Sequence, residues 1–311
     1  AKRAELDVSG GVDSATLLAL LGRALGPDNI TAVYSCINSS DESRQRAQEV
    51  SESTGVRLIQ VDLTQVYESL IRTMRDAFPD AGYDIAKIDE RITRDPMVLG
   101  SIRSTLRAPV GRGFNRMTGG GIRHGTGNEC EDRWLRFFQK GGDGEVDTNP
   151  MAMLAKGEVF QLAHALDVPP SIIEALPTPD LWGTGDDHND EDELMAWTGV
   201  AFTYSRVDAV SGQYTRVGTI ERISRFVDTL EPQGLTIFDD AMTEDALSGI
   251  IHNATQTPEF SGIKAQQVGH LIRGAKRVER LTRHKMNPNC PTLGDRTTLV
   301  KRALLTDSLF S

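Results

Sequence analysis

Six residues constrain this chain more than any others: SGGVDS, from Ser9 to Ser14. They lie between a short β-rich run, Arg3–Val8, and a stretch with apolar residues at helical spacing, Asp13–Leu25. The adjacent Gly10 and Gly11 let the backbone turn tightly and approach a ligand closely. The helix that follows aims its unpaired N–H groups and the positive end of its dipole at the same point, which suits a phosphate. Ser9 and Ser14 add hydroxyls, and Asp13 brings a carboxylate able to hold a Mg²⁺ that bridges phosphates. An ordinary capped turn uses the same residue types, but the strand–turn–helix setting favours the phosphate loop.

The alternation continues beyond the loop. Ile30–Ile37 is β-rich, Asp41–Thr54 is polar and helical, and Val56–Leu63 is a strand again. This order predicts an α/β, doubly wound, mostly parallel sheet with helices on both faces. Ligands of such sheets sit at the carboxyl ends of the strands, where SGGVDS falls. Residues 76–121 carry Pro79, Pro96, Pro109 and a glycine cluster at Gly111, Gly113, Gly119, Gly120 and Gly121, which predicts irregular chain. A short helix is expected over Glu131–Phe138, and a clear amphipathic one over Lys156–Leu166, ended by Pro169 and Pro170. Residues 186–193 read as an acidic loop, residues 205–247 as polar and helix-leaning, and Val268–Arg283 as a basic helix.

Charge narrows the function. With 34 basic against 44 acidic residues the net charge is −10, which argues against coating nucleic acid or an anionic membrane. A polyphosphate site survives this test, because backbone amides, a few cations and a metal build it locally. No apolar run approaches the roughly 18 residues of a transmembrane helix. Ala1–Asp7 is too short and too charged for a signal peptide. Cys36, Cys130 and Cys290 are odd in number and show no CxxC spacing, so neither a disulfide framework nor structural zinc is expected. The expectation is a soluble cytoplasmic protein.

SGGVDS resembles the pyrophosphate loop of the ATP pyrophosphatases, which cleave ATP between the α and β phosphates. Further motifs follow in order: HGTGNECED (124–132), FFQKGGDGEVDTNP (137–150), LAKGEVFQLAHALDVP (154–169) and LPTPDLW (176–182). The weaker DEDEL (190–194) and RHK (283–285) come after them. This series is similar to the ammonia-dependent NAD synthetase family. A tRNA thiolase of the same superfamily is disfavoured, since it calls for reactive or metal-binding cysteines and a basic RNA face.

The resemblance implies an adenine nucleotide alpha-hydrolase-like fold with a five-stranded type of sheet. It assigns Ser9, Gly10, Gly11, Asp13, Ser14, Thr126, Lys156 and Thr178 to ATP, and Asp13 with Glu131 to Mg²⁺. Lys140, Asp147, His284, Lys285 and Arg107 match positions that bind the dinucleotide substrate. Asp13, Glu131 and Lys156 become the catalytic set. The implied reaction amidates deamido-NAD with ammonia through a carboxyl-adenylate, releasing AMP and pyrophosphate, in a homodimer that needs neither nucleic acid nor membrane.

The residues also have plainer readings. Glu131 stands at a loop-to-helix junction, where it suits a Mg²⁺ clamp facing Asp13 or simply a helix first turn. Lys156 at a helix start opposes the dipole, which a bound phosphate would justify better than helix stability. A solvated Lys140, a turn Asp147 and a basic helix end at His284 and Lys285 are equally simple. Cys130 reads as a packing residue.

The whole chain, 1–311, is expected to be one synthetase-like domain with a helical insertion at about 205–255. Eight residues precede the loop, leaving no room for a fused glutaminase domain, so free ammonia is the expected nitrogen source. Departures cluster at the acid-binding end. Asp7 replaces a small residue, and Thr105 stands where a substrate-binding Arg is usual. Pro109, Gly111 and Gly113 should interrupt that helix, and LWGTGDD (181–187) lacks the usual Gly-Gln. Two other readings therefore stay open: a related ligase that adenylates a different acid, and a nucleotide-binding homologue without catalysis.

Overall fold

The structure, a computed structural model, describes residues 3–95, 97–176, 178 and 189–286. Residues 181–187 and Cys290, singled out above, lie outside them. Four parallel strands form the central sheet: β1 (Ala4–Asp7), β2 (Ile30–Cys36), β3 (Leu58–Asp62) and β4 (Ile122–Arg123), in the order β3-β2-β1-β4. At the β4 edge, where a fifth strand would pair, one parallel bridge joins His124 to Thr148. Pro150 follows two residues later and cannot extend a ladder.

Helices α1 (Val12–Leu25) and α2 (Asp41–Thr54) make the first two crossovers. The Ser40 side chain caps α2 by accepting the Ser43 N–H, and Gly55 ends it in the left-handed region. Next come α3 (Thr64–Ala77), α4 (Ile85–Arg94) and α5 (Met97–Met117). The expected irregularity of 76–121 is thus corrected: α5 runs 21 residues straight through Pro109. An interior proline costs about 3 kcal/mol. Burial of Ala108, with Ile102, Leu106 and Val110 packed on Ile37, Leu63 and Tyr67, offsets it. Gly111 has a steric reason to be there. A Cβ at that position would strike the Arg123 guanidinium and the Glu5 carboxylate.

Past β4, α6 (Glu129–Asp132) is shorter than the helix expected to Phe138. Arg136 takes a left-handed φ of 51°, its guanidinium drawn into a buried pair with Glu279 at 3.0 Å. The helix α7 (Lys156–Ala165) forms as expected, but Pro170 opens α8 (Pro170–Glu174) as well as following α7. The acidic stretch is not all loop: Asn189 and Asp192 make a capping box that starts α9 (Asp190–Thr198). The region expected to lean helical begins with a hairpin, β5 (Arg206–Val207) and β6 (Tyr214–Arg216). It continues as α10 (Thr219–Leu230) and α11 (Glu244–Ala254), before α12 (Ala265–Thr282).

These elements make two main cores. Leu6, Val8, Leu17, Leu18, Val50, Val159 and Phe160 seal α1, α2 and α7 onto one sheet face, and α5 with α3 covers the other. The second core joins α10, α11 and α12 around Phe202, Phe226 and Leu271, and it includes Trp134 and Leu135 from the segment after α6. Those two residues tie the second core to the chain that carries Glu131. No helix among the described residues is long and apolar enough to cross a membrane.

Candidate active site

The loop after β1 is braced from within. Ser9 N–H donates to Ser14 Oγ (3.1 Å), Gly11 N–H to Ser9 Oγ (3.3 Å), and Ser14 Oγ–H to Gly11 O (3.0 Å). Gly10 needs its φ of 82°, and a Cβ there would collide with the Ser43 carbonyl of α2. Helix α1 begins at Gly11 with no side-chain cap, so its first N–H groups remain available to a ligand. A cavity of about 300 Å³ opens here, at the carboxyl ends of β1 and β2.

Three charged side chains from three segments meet in it. Lys156 Nζ donates to Asp13 Oδ2 at 2.6 Å and to Glu131 Oε1 at 2.8 Å. Lys156 is only 1 % exposed, and Tyr204 covers it with its ring centroid 5.3 Å from Nζ. Burial works against the ammonium charge, but the two carboxylates outweigh it and raise the pKa, so the lysine is held charged. These two carboxylates give a reason of their own, beside a bound phosphate, for a lysine at the start of α7. Asn128 Nδ2 fixes Asp13 from the other side at 2.9 Å, and Asn128 also caps α6, which carries Glu131.

Two carboxylates converging on one point suit Mg²⁺, which takes one or two protein carboxylates and completes its shell with phosphates and water. No group of three or more His, Cys, Asp or Glu among the described residues could hold a metal alone, so the nucleotide's own oxygens would be needed. Thr126 and Thr178 line the same cavity, as the resemblance requires, and so do Arg107 and Lys285. Arg107 Nε donates to Ser35 O at 3.2 Å. Lys285 Nζ donates to the carbonyls of Arg136 and Phe138, at 2.9 and 2.6 Å, and burial lowers its pKa.

Lys140, Asp147 and His284 are exposed and are not among the described residues lining the cavity. The Asp147 carboxylate accepts the Arg123 N–H at 2.9 Å, and His284 Nδ1 lies 3.0 Å from the Leu281 carbonyl. Cys130 is buried, burial pushes its thiol pKa up, and it is a packing residue.

Sequence reading missed Asp190, Asn128, Tyr204 and a buried triad. Asp190 lines the cavity, and burial lifts its carboxyl to about 8 against the pull of Lys156. Asn128 was legible as the Asn of GTGN, whereas Tyr204 lies in a stretch without a motif. In the buried triad Arg123 bonds Glu5 and Asp7, each at 2.5 Å, with Glu5 fully buried. Asp7 is thereby accounted for as one arm of this clamp at the cavity wall, and Gly111 makes room for it.

Comparison with known proteins agrees with this geometry. The family profile described as NAD synthase matches residues 1–215. The NH(3)-dependent NAD(+) synthetase of Mesoplasma florum is 34% identical over 67% of this chain and 75% of its own length. That of Methanococcoides burtonii is 33% identical over 67% of this chain and 70% of its own. Among solved structures, the NMN synthetase of Francisella tularensis superposes with a TM-score of 0.60 at 20% identity, covering 94% of this chain and 90% of that one. The NH3-dependent NAD synthetase of Campylobacter jejuni, in complex with nitrate, gives 0.57 at 15% identity with the same coverage. At such identities these two likenesses speak for the fold alone. With loop, carboxylates and lysine in one cleft and the profile spanning all of them, the chain belongs to the NAD synthase family.

Proposed function

We propose that this chain is an ammonia-dependent NAD synthetase, joining ammonia to the carboxylate of deamido-NAD at the expense of ATP. The observation that carries the reading is the convergence of Asp13, Glu131 and Lys156 on the uncapped start of α1. A carboxylate is a poor acyl donor, since its leaving group would be oxide. Attack of its oxygen on the α-phosphorus of ATP forms a mixed anhydride with AMP and breaks the bond to pyrophosphate. Ammonia then adds to the acyl carbon, loses a proton and expels AMP, leaving an amide. No covalent enzyme intermediate is required.

The chain's work is positioning and charge neutralisation. The Gly10 amide and the uncapped start of α1 would face the phosphates, with Ser9, Ser14, Thr126 and Thr178 as hydroxyl partners. Lys156 offers a desolvated positive charge where negative charge grows. Mg²⁺, held by Asp13, Glu131 and the nucleotide, would neutralise the triphosphate and the departing pyrophosphate. Arg107 and Lys285 stand where the acid substrate would enter.

In the same reading, residues 1–311 form one synthetase-like unit with the helical addition at about 205–255, supported by the core that α10 to α12 share with Trp134. We assign it to the cytoplasm, in keeping with the free thiols of Cys36 and Cys130. A homodimer is also part of the proposal: Val66, Leu70 and Met74 form an exposed stripe on α3 suited to a second copy.

A second reading, amidation of another acid, is favoured by Thr105 and by the distance of Lys140, Asp147 and His284 from the cavity lining. Pyrophosphate release with ATP, Mg²⁺ and ammonium, measured for deamido-NAD against a panel of carboxylic acids, separates the two. Turnover of deamido-NAD above the panel supports the first, and turnover of another acid in its place supports the second.

A further inference from the structure

Resting on the reading that this cleft takes ATP, we propose that Arg46 is a binding residue for the β and γ phosphates, and the cation that meets the pyrophosphate as it leaves. The need for it follows from charge. Lys156 is already shared between Asp13 and Glu131, and Asp190 and Glu193 add two more buried acids to the same cavity. At the loop itself the one lysine is already paired with two carboxylates, so a triphosphate entering there gains from a further positive charge besides the metal.

Arg46 stands where that charge is wanted. Its Nε donates to the carbonyl of Gly10 at 3.1 Å, which places the guanidinium against the phosphate loop. It is half-buried and lines the cavity, and no carboxylate among the described residues pairs with it. The helix that carries it sits tight against the loop: α2 is capped by Ser40, and its Ser43 carbonyl is pressed so close to Gly10 that no side chain fits between. With Nε committed to the loop, the two terminal nitrogens retain a fork of donors that matches phosphate oxygens. Arg46 lies one turn into α2, outside every motif that points to the nucleotide.

The location within the nucleotide gives the test. An arginine on the β and γ phosphates is felt by ATP and pyrophosphate and hardly by AMP. An arginine that only holds the loop in shape is felt by all three. Calorimetric titration of the full chain with Mg-ATP, Mg-pyrophosphate and AMP, before and after Arg46→Ala, separates these roles. The proposal expects affinity for ATP and pyrophosphate to fall about tenfold to hundredfold, with AMP changed less than about threefold. Arg46→Lys keeps the charge without the fork and should fall between. Equal weakening of all three ligands, or ATP binding unchanged in Arg46→Ala, overturns the proposal. A wild-type chain that binds none of them overturns the ATP reading itself, and this inference with it.

Discussion

The two ends of the cavity are built differently. At the proposed nucleotide end, residues from four segments up to 169 positions apart in the sequence line one cavity: the loop 9–14, Thr126 and Glu131, Lys156, and Thr178. At the acid end, Arg107 and Lys285 reach the cavity while Lys140, Asp147 and His284 stay outside. In the proposed function the nucleotide end draws on residues of one chain and on the buried ion pairs of Lys156. The acid end draws on helix α5, where Thr105 departs from the family pattern, and on Lys285, three residues past the end of α12. The proposed function therefore separates activation chemistry from acid choice.

The strongest challenge to that comparison is at the nucleotide end. Lys156→Met should lower turnover by about 10²–10³ for any acid, read as pyrophosphate release. An effect confined to one acid would place Lys156 at the other end. Asp13→Asn and Glu131→Gln should cut turnover comparably and also lower stability by about 3–5 kcal/mol, because each leaves a buried lysine short of a partner. Urea unfolding reads this directly, and an unchanged midpoint would show that these carboxylates serve only a ligand.

Next in size is a contrast within the acid end. Lys285→Ala should raise KM for the acid by about tenfold, as loss of a charged hydrogen bond does, whereas His284→Ala should leave it within about threefold. Equal effects would bring His284 into the site. At the wall between the ends, Gly111→Ala should destabilise by about 1–3 kcal/mol despite alanine's better helix propensity, since its methyl meets the Glu5–Arg123–Asp7 clamp. A rise in melting temperature would contradict the placement of that clamp.

The smallest effect is a pH slope. Burial lifts Asp190 from 3.8 to about 8, so the folded chain keeps a proton that the unfolded chain loses. Its contribution to stability is full below pH 4, declines as pH rises, and is gone above pH 8. Asp190→Asn should flatten the stability profile across that window, and an unaltered slope would show the carboxyl ionised throughout.

The legibility of the molecule follows the same divide. SGGVDS was readable because a strand, two glycines and a helix leave a local signature, and α1, α2 and β2 fall within a residue or so of expectation. GTGN and the Lys156 helix were readable as motifs. Helix α5 was not, because Pro109 and Gly111 look like breaks until tertiary packing supplies the reason for each: apolar contacts on one face, a buried clamp against the other. Arg46, Tyr204 and the Arg123 clamp depend on contacts between distant segments, which no local pattern encodes. Asp7 stood out as a departure with no local reason because its partner Arg123 lies 116 residues away.

The central claim is that this cleft joins the acid to the α-phosphorus of ATP before nitrogen arrives. Its most direct measurement follows ¹⁸O from the carboxylate of deamido-NAD through one turnover with ATP, Mg²⁺ and ammonium, by mass spectrometry of the products. One labelled oxygen in AMP, with none in pyrophosphate, is the predicted result. Label absent from AMP while the amide forms would contradict it.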